Sequence, residues 1–497
     1  MTLADLNLGF ALPELFLTAA LFGILMFGVF RGQDRVDLVI GATIAALAGT
    51  LVLILLIPVP EGGDAFAGLF VADGVARFAK VLILGAAGLV LWMTGPRLAG
   101  HGLLKFEYPI LMGFAVLGMM LMVSASDMMS LYLGLELQSL ALYVLAAFNR
   151  DDGRASEAGL KYFILGALSS GVLLYGISLI YGFGGAGSTN FAALYQTIAV
   201  LGSPLDNLGL TIGLVFVAAG LAFKISAAPF HMWTPDVYQG APLSVTAFFA
   251  SAPKVAAFVL LFRVLYDPLA ALAEQWRDLL ILLALVSVFW GAIAGVAQRS
   301  LKRLIAYSSI GHMGYALLGL AAGNADGGAA MLNYLSAYLV MTLGMFALLM
   351  SLEREGREVE SIDDLAGLGK SSPFKAIALL ILMMSLAGIP IFAGFFVKLQ
   401  VFYAALAAGY AIAAVLAVIG SVIACFYYIR LVKIAYFDSP EGKAAVSVEN
   451  GPSQIVLIAS LLCLSLWGFG NRALDEAARG SVAQQQSTLT TRTVDGS

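Results

Sequence analysis

Residues 222–242 read AFKISAAPFHMWTPDVYQGAP, in which a lysine and a proline five residues apart interrupt an apolar run. Pro229 has no N–H to bond the carbonyl four residues back, which frees the Ile225 carbonyl. A freed carbonyl at membrane depth persists only where protein or water satisfies it. The stretch therefore predicts a broken membrane helix with Lys224 beside the break.

The composition extends this prediction to the whole chain. The 497 residues are 61% hydrophobic and 12% charged, whereas a soluble domain has roughly 25% charged residues. The apolar residues also come in runs of about 20, which matches the thickness of a bilayer. A soluble globular protein is therefore excluded, and the chain is predicted to be an all-α polytopic membrane protein.

The apolar runs predict about fourteen membrane helices, separated by charged or Pro/Gly-rich breaks. Their expected starts lie near Leu8, Val36, Val75, Phe106, Met128, Ala158, Leu208, Pro242, Trp276, Leu301, Gly327, Phe374, Tyr410 and Ser453. The seventh run holds Lys224 beside its proline. The twelfth run contains SLAGIPIFAGFFVK at 385–398, in which Lys398 follows Pro390. Helices 7 and 12 are therefore predicted to be broken.

Two broken helices five positions apart indicate an internal repeat. A unit of five helices crosses the membrane an odd number of times, so its second copy is inserted upside down, as in many transporters. We therefore predict inverted repeats at residues 106–266 (helices 4–8) and 267–437 (helices 9–13). Residues 1–105 would form helices 1–3, and residues 438–497 would form helix 14 and a mobile polar tail. Chance placement of two lysines beside two prolines is the alternative explanation.

Lysines and arginines set the expected orientation, because positive charge is retained on the cytoplasmic side. With the N-terminus outside, fifteen basic residues fall inside and seven fall outside, Arg263 among the seven. Both termini are therefore predicted to be external. The long charged loop at 351–372 would be cytoplasmic, and the nearly uncharged connection at 182–203 would be external.

Several functional classes lack support in the sequence. The net charge of -4 and the lack of a basic tract argue against a nucleic-acid partner. Cys425 and Cys463 have no CxxC spacing, so neither an iron–sulfur cluster nor a disulfide framework is indicated. GFGGAG at 182–187 follows a predicted membrane helix rather than a strand, unlike a dinucleotide fingerprint. No metal or cofactor site is therefore expected in this chain, and any redox centre would lie in another one.

Four charged residues lie deep in apolar runs, where a charge costs roughly 2.5–3.5 kcal/mol on insertion scales. They are Glu136, Lys224, Lys254 and Lys398. Such residues are functional candidates by default, and a lysine beside a wet helix break suits a proton path. Glu136 paired with a lysine at about 7 Å would gain roughly 2.4 kcal/mol at an effective dielectric of about 20. The structural alternatives are a protonated, silent Glu136 and a Lys254 that only partners a helix dipole or a carboxylate.

Other ionisable residues are weaker candidates, each with a structural alternative. Lys161 lies near the cytoplasmic start of its helix, where a lysine ordinarily extends to the membrane surface. His312, in YSSIGHMGY at 307–315, suits proton relay at neutral pH, and a neutral histidine bonded between helices is the alternative. His231 is expected to cap the broken helix.

Four segments and the fourteen-helix plan resemble one family, the antiporter-like subunits of respiratory complex I, the proton-translocating NADH:quinone oxidoreductase. The segments are LGLELQSLALYVL at 133–145, the stretch at 222–242, SAPKVAAF at 251–258 and SLKRLIAYSSIGHMGY at 300–315. The resemblance covers nearly the whole chain.

Within that family the chain is most similar to the subunit N branch. Lysine rather than glutamate stands at Lys398, unlike subunit M, and lysine rather than histidine stands at Lys254. The chain also has no counterpart of the long lateral helix of subunit L after helix 14.

The resemblance implies a role for each matched residue. Glu136 and Lys224 would form the coupling pair. Lys254 would pass the proton along the central hydrophilic axis, and Lys398 would be the exit-side residue. The accessory members would be Lys161 and His312, and His231 beside the broken helix is added to them as a further candidate.

The resemblance also implies one proton channel, driven by quinone chemistry elsewhere in the complex. NADH, FMN, the iron–sulfur clusters and the main quinone site would belong to other subunits. Subunits M and K and membrane lipid would be neighbours, and the location would be the bacterial cell inner membrane. A subunit of a Mrp-type cation/proton antiporter, which shares these motifs, is the first alternative. A structural spacer with silent buried charges is the second.

Overall fold

A computed structural model describes the chain over residues 6–31, 35–58, 63–100, 103–201 and 207–494. Its helices are α1 (Leu12–Arg31), α2 (Val36–Leu56), α3 (Gly74–Gly100), α4 (Glu107–Val123), α5 (Met128–Ala146), α6 (Gly153–Phe183), α7 (Phe191–Val200), α8 (Leu208–Ile225), α9 (Thr234–Gly240), α10 (Leu243–Phe249), α11 (Ala252–Tyr266), α12 (Ala273–Val296), α13 (Leu301–Ala321), α14 (Ala325–Met350), α15 (Leu368–Ser371), α16 (Pro373–Ala387), α17 (Ala393–Ala407), α18 (Ala411–Phe437), α19 (Gly451–Gly470) and α20 (Arg472–Val494). Short antiparallel strands connect some of them: β1 (Gly63–Ala65) pairs with β2 (Phe70–Ala72), and β3 (Leu352–Arg354) pairs with β4 (Arg357–Glu358) and β5 (Val446–Ser447).

Twelve spans in the described ranges are long and apolar enough to cross a membrane, which confirms an all-α polytopic membrane protein. A helix begins within five residues of every start expected from the sequence. Two expected spans are not among the twelve: α4 has 17 residues, and the twelfth predicted helix is divided into α16 and α17 of 15 residues each. The count of fourteen therefore stays a prediction.

Both predicted helix breaks are present. α8 ends at Ile225, and Ser226 adopts a left-handed φ of 63° before the chain turns towards α9. α16 ends at Ala387, and Gly388 adopts a φ of 83° before α17, a conformation that glycine adopts without strain. Each break therefore turns the chain sharply within one membrane span.

A third break was not predicted. The eighth expected helix consists of α10 and α11, which are separated at Ala250 and Ser251. Pro253 lies in the first turn of α11, a position where its missing N–H costs no helical hydrogen bond. Lys254 is the next residue, so it too lies beside a helix break.

The helices that carry Lys254 and His312 are surrounded by the others. The span formed by α10 and α11 is wholly buried within the chain, and α13 and α14 are almost as buried. Fewer than half of the residues in the apolar windows of α1, α2, α6 and α18 are buried. The outer helices thus shield the polar groups of α11 and α13 from lipid.

Polar loops gather at the two ends of the helix bundle. At one end, the charged loop forms the β3–β4 hairpin, and residues Leu103, Asp152, Lys302 and Glu358 line a common cavity. At the other end, Asn7 donates to the Asp64 carbonyl, and α20 packs against α3, α7 and α14. Both ends of the described chain therefore lie at the same end of the bundle.

The polar tail forms the helix α20 at Arg472–Val494. From α20, the Gln485 amide donates to the Asp267 carboxylate at 2.6 Å. The Asp475 carboxylate accepts from the Asn333 amide at 2.7 Å. These polar side chains find partners on distant helices, which composition alone does not reveal. The helix over residues 472–494 was not predicted, and the mobility of the tail stays a prediction.

A buried ion pair connects α11 to the start of α3 near α20. The Arg263 guanidinium donates to the two Asp73 oxygens at 2.8 and 2.9 Å and to the Val123 carbonyl at 2.9 Å. Arg263 is 1% exposed and Asp73 is 5% exposed. Burial opposes ionisation of the Asp73 carboxyl, but the adjacent guanidinium holds its pKa below the ordinary 3.8. Arg263, an exception to the expected charge distribution, is thus part of a neutralised pair.

Replacing Arg263 by methionine is expected to destabilise the fold by about 3–5 kcal/mol, because Asp73 would remain buried without its partner. Thermal unfolding of the detergent-solubilised protein, followed by tryptophan fluorescence, measures this change. Since folding lowers the pKa of Asp73, the pair stabilises the fold at neutral pH. This contribution is lost progressively as the pH falls from 3.8 through the lower folded value. The difference between wild type and Arg263→Met should shrink accordingly.

Arg472→Met is the matched control, because the Arg472 side chain is 92% exposed in its pair with Glu476. Exposed pairs contribute little, so its unfolding midpoint should stay close to that of the wild type. An unchanged midpoint for Arg263→Met at neutral pH would contradict a stabilising role for the buried pair.

Candidate functional site

The first polar cluster joins Glu136 on α5 to Lys224 on α8 through serine hydroxyls. Ser170 on α6 donates to Oε1 of Glu136 at 2.5 Å. The Lys224 ammonium donates to Oγ of Ser139 at 2.9 Å and lies 3.5 Å from Oγ of Ser170. In the described part of the chain, these hydrogen bonds connect the carboxylate to the lysine without a direct contact between them. Ser170 therefore occupies the position between the two charges.

Lys254 on α11 contacts the broken end of α8. Its ammonium donates to the Ile225 carbonyl at 3.2 Å and to the Ser226 hydroxyl, and it lies 5.2 Å from the centre of the Trp233 ring. Thr234, at the start of α9, donates to the same Ser226 hydroxyl at 2.7 Å. The carbonyl freed by the first proline is thus satisfied by a lysine. The contact with the Ile225 carbonyl places Lys254 at a helix end, as its structural alternative expects. The contact with Ser226 also joins Lys254 to a hydroxyl group.

Lys398 on α17 makes equivalent contacts at the second break. Its ammonium donates to the Leu386 and Ala387 carbonyls, both at 3.1 Å. It also donates to the Ser421 hydroxyl on α18 at 2.9 Å, and it lies 4.9 Å from the centre of the Tyr315 ring. The Leu386 carbonyl is the group freed by the second proline. Both freed carbonyls therefore accept from buried lysines.

His312 on α13 lies in a cluster of hydroxyl groups. Its Nδ1 is 2.6 Å from Oη of Tyr334, and its Nε2 is 3.1 Å from Oη of Tyr428. The Tyr428 hydroxyl is 2.5 Å from Oγ of Ser308. A neutral imidazole has one donor and one acceptor nitrogen, so one tyrosine donates to it and the other accepts. The histidine therefore bonds three helices together and also forms part of a hydrogen-bonded series.

Asp236 on α9 is a carboxylate that the sequence analysis missed. It accepts from Lys161 on α6 at 2.8 Å and from Arg303 on α13 at 2.7 Å. Lys161 also pairs with Glu157 at 2.8 Å. Lys161 is therefore held in a partly exposed ion-pair cluster and does not simply extend to the membrane surface. The sequence TPD after the break, an acidic residue in a proline-led first turn, was the signal that could have identified Asp236.

His231 does not cap the broken helix with its side chain. The N-cap residue of α9 is Trp233, and no side-chain bond caps the helix. At the start of α9 it is the His231 backbone carbonyl that contributes, by accepting from the N–H of Thr234 at 2.9 Å. The ring lies 5.6 Å from that of Trp290 on α12 instead. The capping prediction was wrong because the imidazole packs towards the neighbouring helix.

The arrangement is suited to holding and moving protons. The buried cations and the imidazole contact hydroxyls of Ser139, Ser170, Ser226, Ser421, Tyr334 and Tyr428. A hydroxyl both donates and accepts, so it can pass a proton and remain neutral. These residues were missed because isolated serines and tyrosines are ordinary in helices and only their contacts distinguish them. Over the described ranges, no group of three or more His, Cys, Asp or Glu side chains is placed to hold a metal ion.

Replacing Lys398 by methionine is expected to loosen the second break. The Leu386 carbonyl would lose its buried lysine donor, at about 1–3 kcal/mol for an unsatisfied group, and the Ala387 carbonyl would keep the weaker Cys425 thiol at 3.6 Å. Hydrogen–deuterium exchange followed by mass spectrometry should show faster exchange in peptides that cover the junction of α16 and α17. The control is Lys433→Met, because Lys433 is 60% exposed and pairs with Asp438. Equal exchange in Lys398→Met and wild type would show that the lysine does not hold the break.

Comparison with known proteins assigns the chain to a family. A family profile described as "NADH:quinone oxidoreductase/Mrp antiporter, TM" matches residues 125–424, which include both breaks and the four deep charged residues. The NADH-quinone oxidoreductase subunit N of Rhodobacter capsulatus is 54% identical over 484 residues, which cover 97% of this chain and 99% of the relative.

Solved structures agree with this assignment. A chain of respiratory complex I from Thermus thermophilus has a TM-score of 0.75 at 33% identity, covering 92% of this chain and 98% of its own length. A chain of the Mrp complex from Dietzia sp. has a TM-score of 0.80, covering 98% and 99%, but its 21% identity shows a common fold alone. With a family match over more than half its length and a relative of 54% identity over nearly all of it, the chain belongs to the NADH:quinone oxidoreductase/Mrp antiporter family, in its subunit N branch.

Proposed function

We propose that the chain provides one proton channel in the membrane arm of a proton-translocating NADH:quinone oxidoreductase, coupled to quinone reduction elsewhere in the complex. The observation that carries this proposal is the placement of Lys224, Lys254 and Lys398. Each ammonium donates to a serine hydroxyl in the bundle, and two of them also donate to helix-break carbonyls. Ionisable groups in such contacts supply sites where a proton can be held within the membrane.

The roles follow the positions of these groups. Glu136 and Lys224 form the coupling pair, connected through a hydroxyl. Lys254 receives the proton on the central axis, and Lys398 passes it to the exit side. The accessory members are Lys161, His312 and His231. The tyrosine and serine hydroxyls around His312 support its place in this series, since they extend its hydrogen bonds to α14 and α18.

The two repeats predicted from the sequence, 106–266 and 267–437, form part of the proposal. Their packing supports it, because α4 contacts α5 and α11 in the way that α12 contacts α13 and α18. Their directions also support it. Leu103, just before α4, lines the same cavity as Lys302, just after α12. α4 therefore begins at the end of the bundle where α12 ends.

The chain acts within a larger complex. Similarity to subunit N proteins supports other membrane-arm subunits as partners, with subunits M and K as the proposed neighbours. NADH, FMN, iron–sulfur clusters and quinone bind to other subunits, and this chain holds no redox centre. It lies in the bacterial cell inner membrane with both termini on the periplasmic side. The common end at which Asn7 and α20 lie supports this orientation.

The first test is a native gel of gently solubilised host membranes. The gel is probed for this chain, and the same lane is stained for NADH dehydrogenase activity. Comigration with activity in one large band is expected. A smaller complex without activity would favour a Mrp-type cation/proton antiporter instead, and sodium-dependent proton exchange would then be the activity to measure.

Substitution of Lys254 tests the channel itself. Lys254→Ala should reduce NADH-driven proton uptake by inverted membrane vesicles about tenfold or more, since positioned proton-transfer groups typically contribute 10²–10⁴-fold. Glu136→Gln should act in the same direction. The control Lys433→Ala changes an exposed lysine and should pump normally. The amount of assembled complex is measured on native gels of the same membranes. Normal pumping by both test variants would favour a structural spacer with silent charges.

A further inference from the structure

Ser170 lies between the two members of the proposed coupling pair. Its Oγ is 2.5 Å from Oε1 of Glu136 and 3.5 Å from the Lys224 ammonium. The side chain is buried, at 3% exposure, on α6, which packs against both α5 and α8. We propose that the Ser170 hydroxyl relays a proton between Lys224 and Glu136, an inference that rests on the proposed channel function.

The direction of the hydrogen bonds distinguishes Ser170 from the second serine beside the lysine. Ser139 accepts from Lys224, but its own hydroxyl proton is directed to the Leu135 carbonyl at 2.7 Å. A carbonyl one turn back in the same helix does not lead towards the carboxylate. Ser170 instead directs its proton at Glu136 and presents its lone pairs to Lys224. Ser139 therefore anchors the lysine, whereas Ser170 completes a donor series from lysine to carboxylate.

The transfer is balanced in protons and charge. The Lys224 ammonium gives a proton to Oγ of Ser170 as the Ser170 hydroxyl gives its own proton to the Glu136 carboxylate. The products are a neutral amine, an unchanged serine and a protonated glutamic acid. The reverse steps restore the two charges. The 3.5 Å distance between the Lys224 ammonium and Oγ of Ser170 is longer than an ordinary hydrogen bond of this type, which is near 2.9 Å. In the proposed transfer, rotation about the flexible bonds of the lysine side chain shortens it.

The adjacent residue supplies a matched control. Ser169 is also a buried serine of α6, at 7% exposure, but its hydroxyl donates to the Gly220 carbonyl of α8 at 3.2 Å. It contributes a contact between α6 and α8 and contacts neither member of the pair. Ser169→Ala and Ser170→Ala each remove one hydroxyl oxygen from α6, but only Ser170→Ala would interrupt the relay.

The experiment uses the whole complex, purified with the variant chain and reconstituted into liposomes. NADH-driven proton uptake and its solvent deuterium isotope effect are measured for Ser170→Ala, Ser170→Thr and Ser169→Ala. Ser170→Ala should lower the uptake rate about tenfold or more and raise the isotope effect, because proton transfer then limits the rate. Ser170→Thr keeps the hydroxyl and should restore the uptake. The uptake rate of Ser169→Ala should stay within about twofold of the wild-type rate, far from the tenfold loss expected for Ser170→Ala.

The possible outcomes separate the relay from the channel. If Glu136→Gln and Lys224→Ala stop proton uptake but Ser170→Ala pumps normally, the relay is wrong and the channel stands. Equal losses in Ser169→Ala and Ser170→Ala, with an unchanged isotope effect, would assign Ser170 to helix packing and overturn the relay. Normal uptake by Glu136→Gln and Lys224→Ala would overturn the proposed function together with the relay. The amount of assembled complex is checked by native gel for every variant.

Discussion

The fold depends on the pairing of buried lysines with backbone carbonyls that helix breaks leave free. An unsatisfied backbone group in a membrane costs several kcal/mol, and a charge placed there costs roughly 2.5–3.5 kcal/mol on insertion scales. Here the two costs offset each other, because Lys254 donates to Ile225 and Lys398 donates to Leu386. A regular helix would remove the acceptors from the lysine, and an apolar side chain would leave the carbonyls unpaired. The ionisable groups are therefore part of the architecture as well as of the proposed chemistry.

The two breaks use this pairing in different ways. Lys254 reaches the end of α8 from a separate helix, so the first contact joins two spans. Lys398 lies on the far half of the same broken helix, and Ser421 of α18 supplies its third acceptor. Both freed carbonyls therefore accept from a lysine, but the two lysines occupy different positions relative to the broken helix.

Much of the fold could be read from the sequence, because membrane spans and proline breaks leave local signals. The freed carbonyls of Ile225 and Leu386 were identified from proline positions alone. Each of them accepts a hydrogen bond from a buried lysine, as a freed carbonyl at membrane depth requires a partner. Residues that act through long-range contacts were not visible. Ser170 and Glu136 are 34 residues apart, and Asp236 and Arg303 are 67 apart. The break before Lys254 was missed because a proline at the start of a helix also suits an unbroken apolar run.

The helix α20 has a consequence for the order in which the contacts of the bundle form. It contacts the start of α3 through Ser481 and Gln484, which lie against Gly74, and it bonds Asp267 at the end of α11. The Asp475 carboxylate also accepts from the Asn333 amide on α14. The ribosome makes this helix after the membrane spans described above. The contacts that α20 makes at this end of the bundle therefore form only after those spans have been synthesised, so a nascent chain that stops short of α20 lacks them.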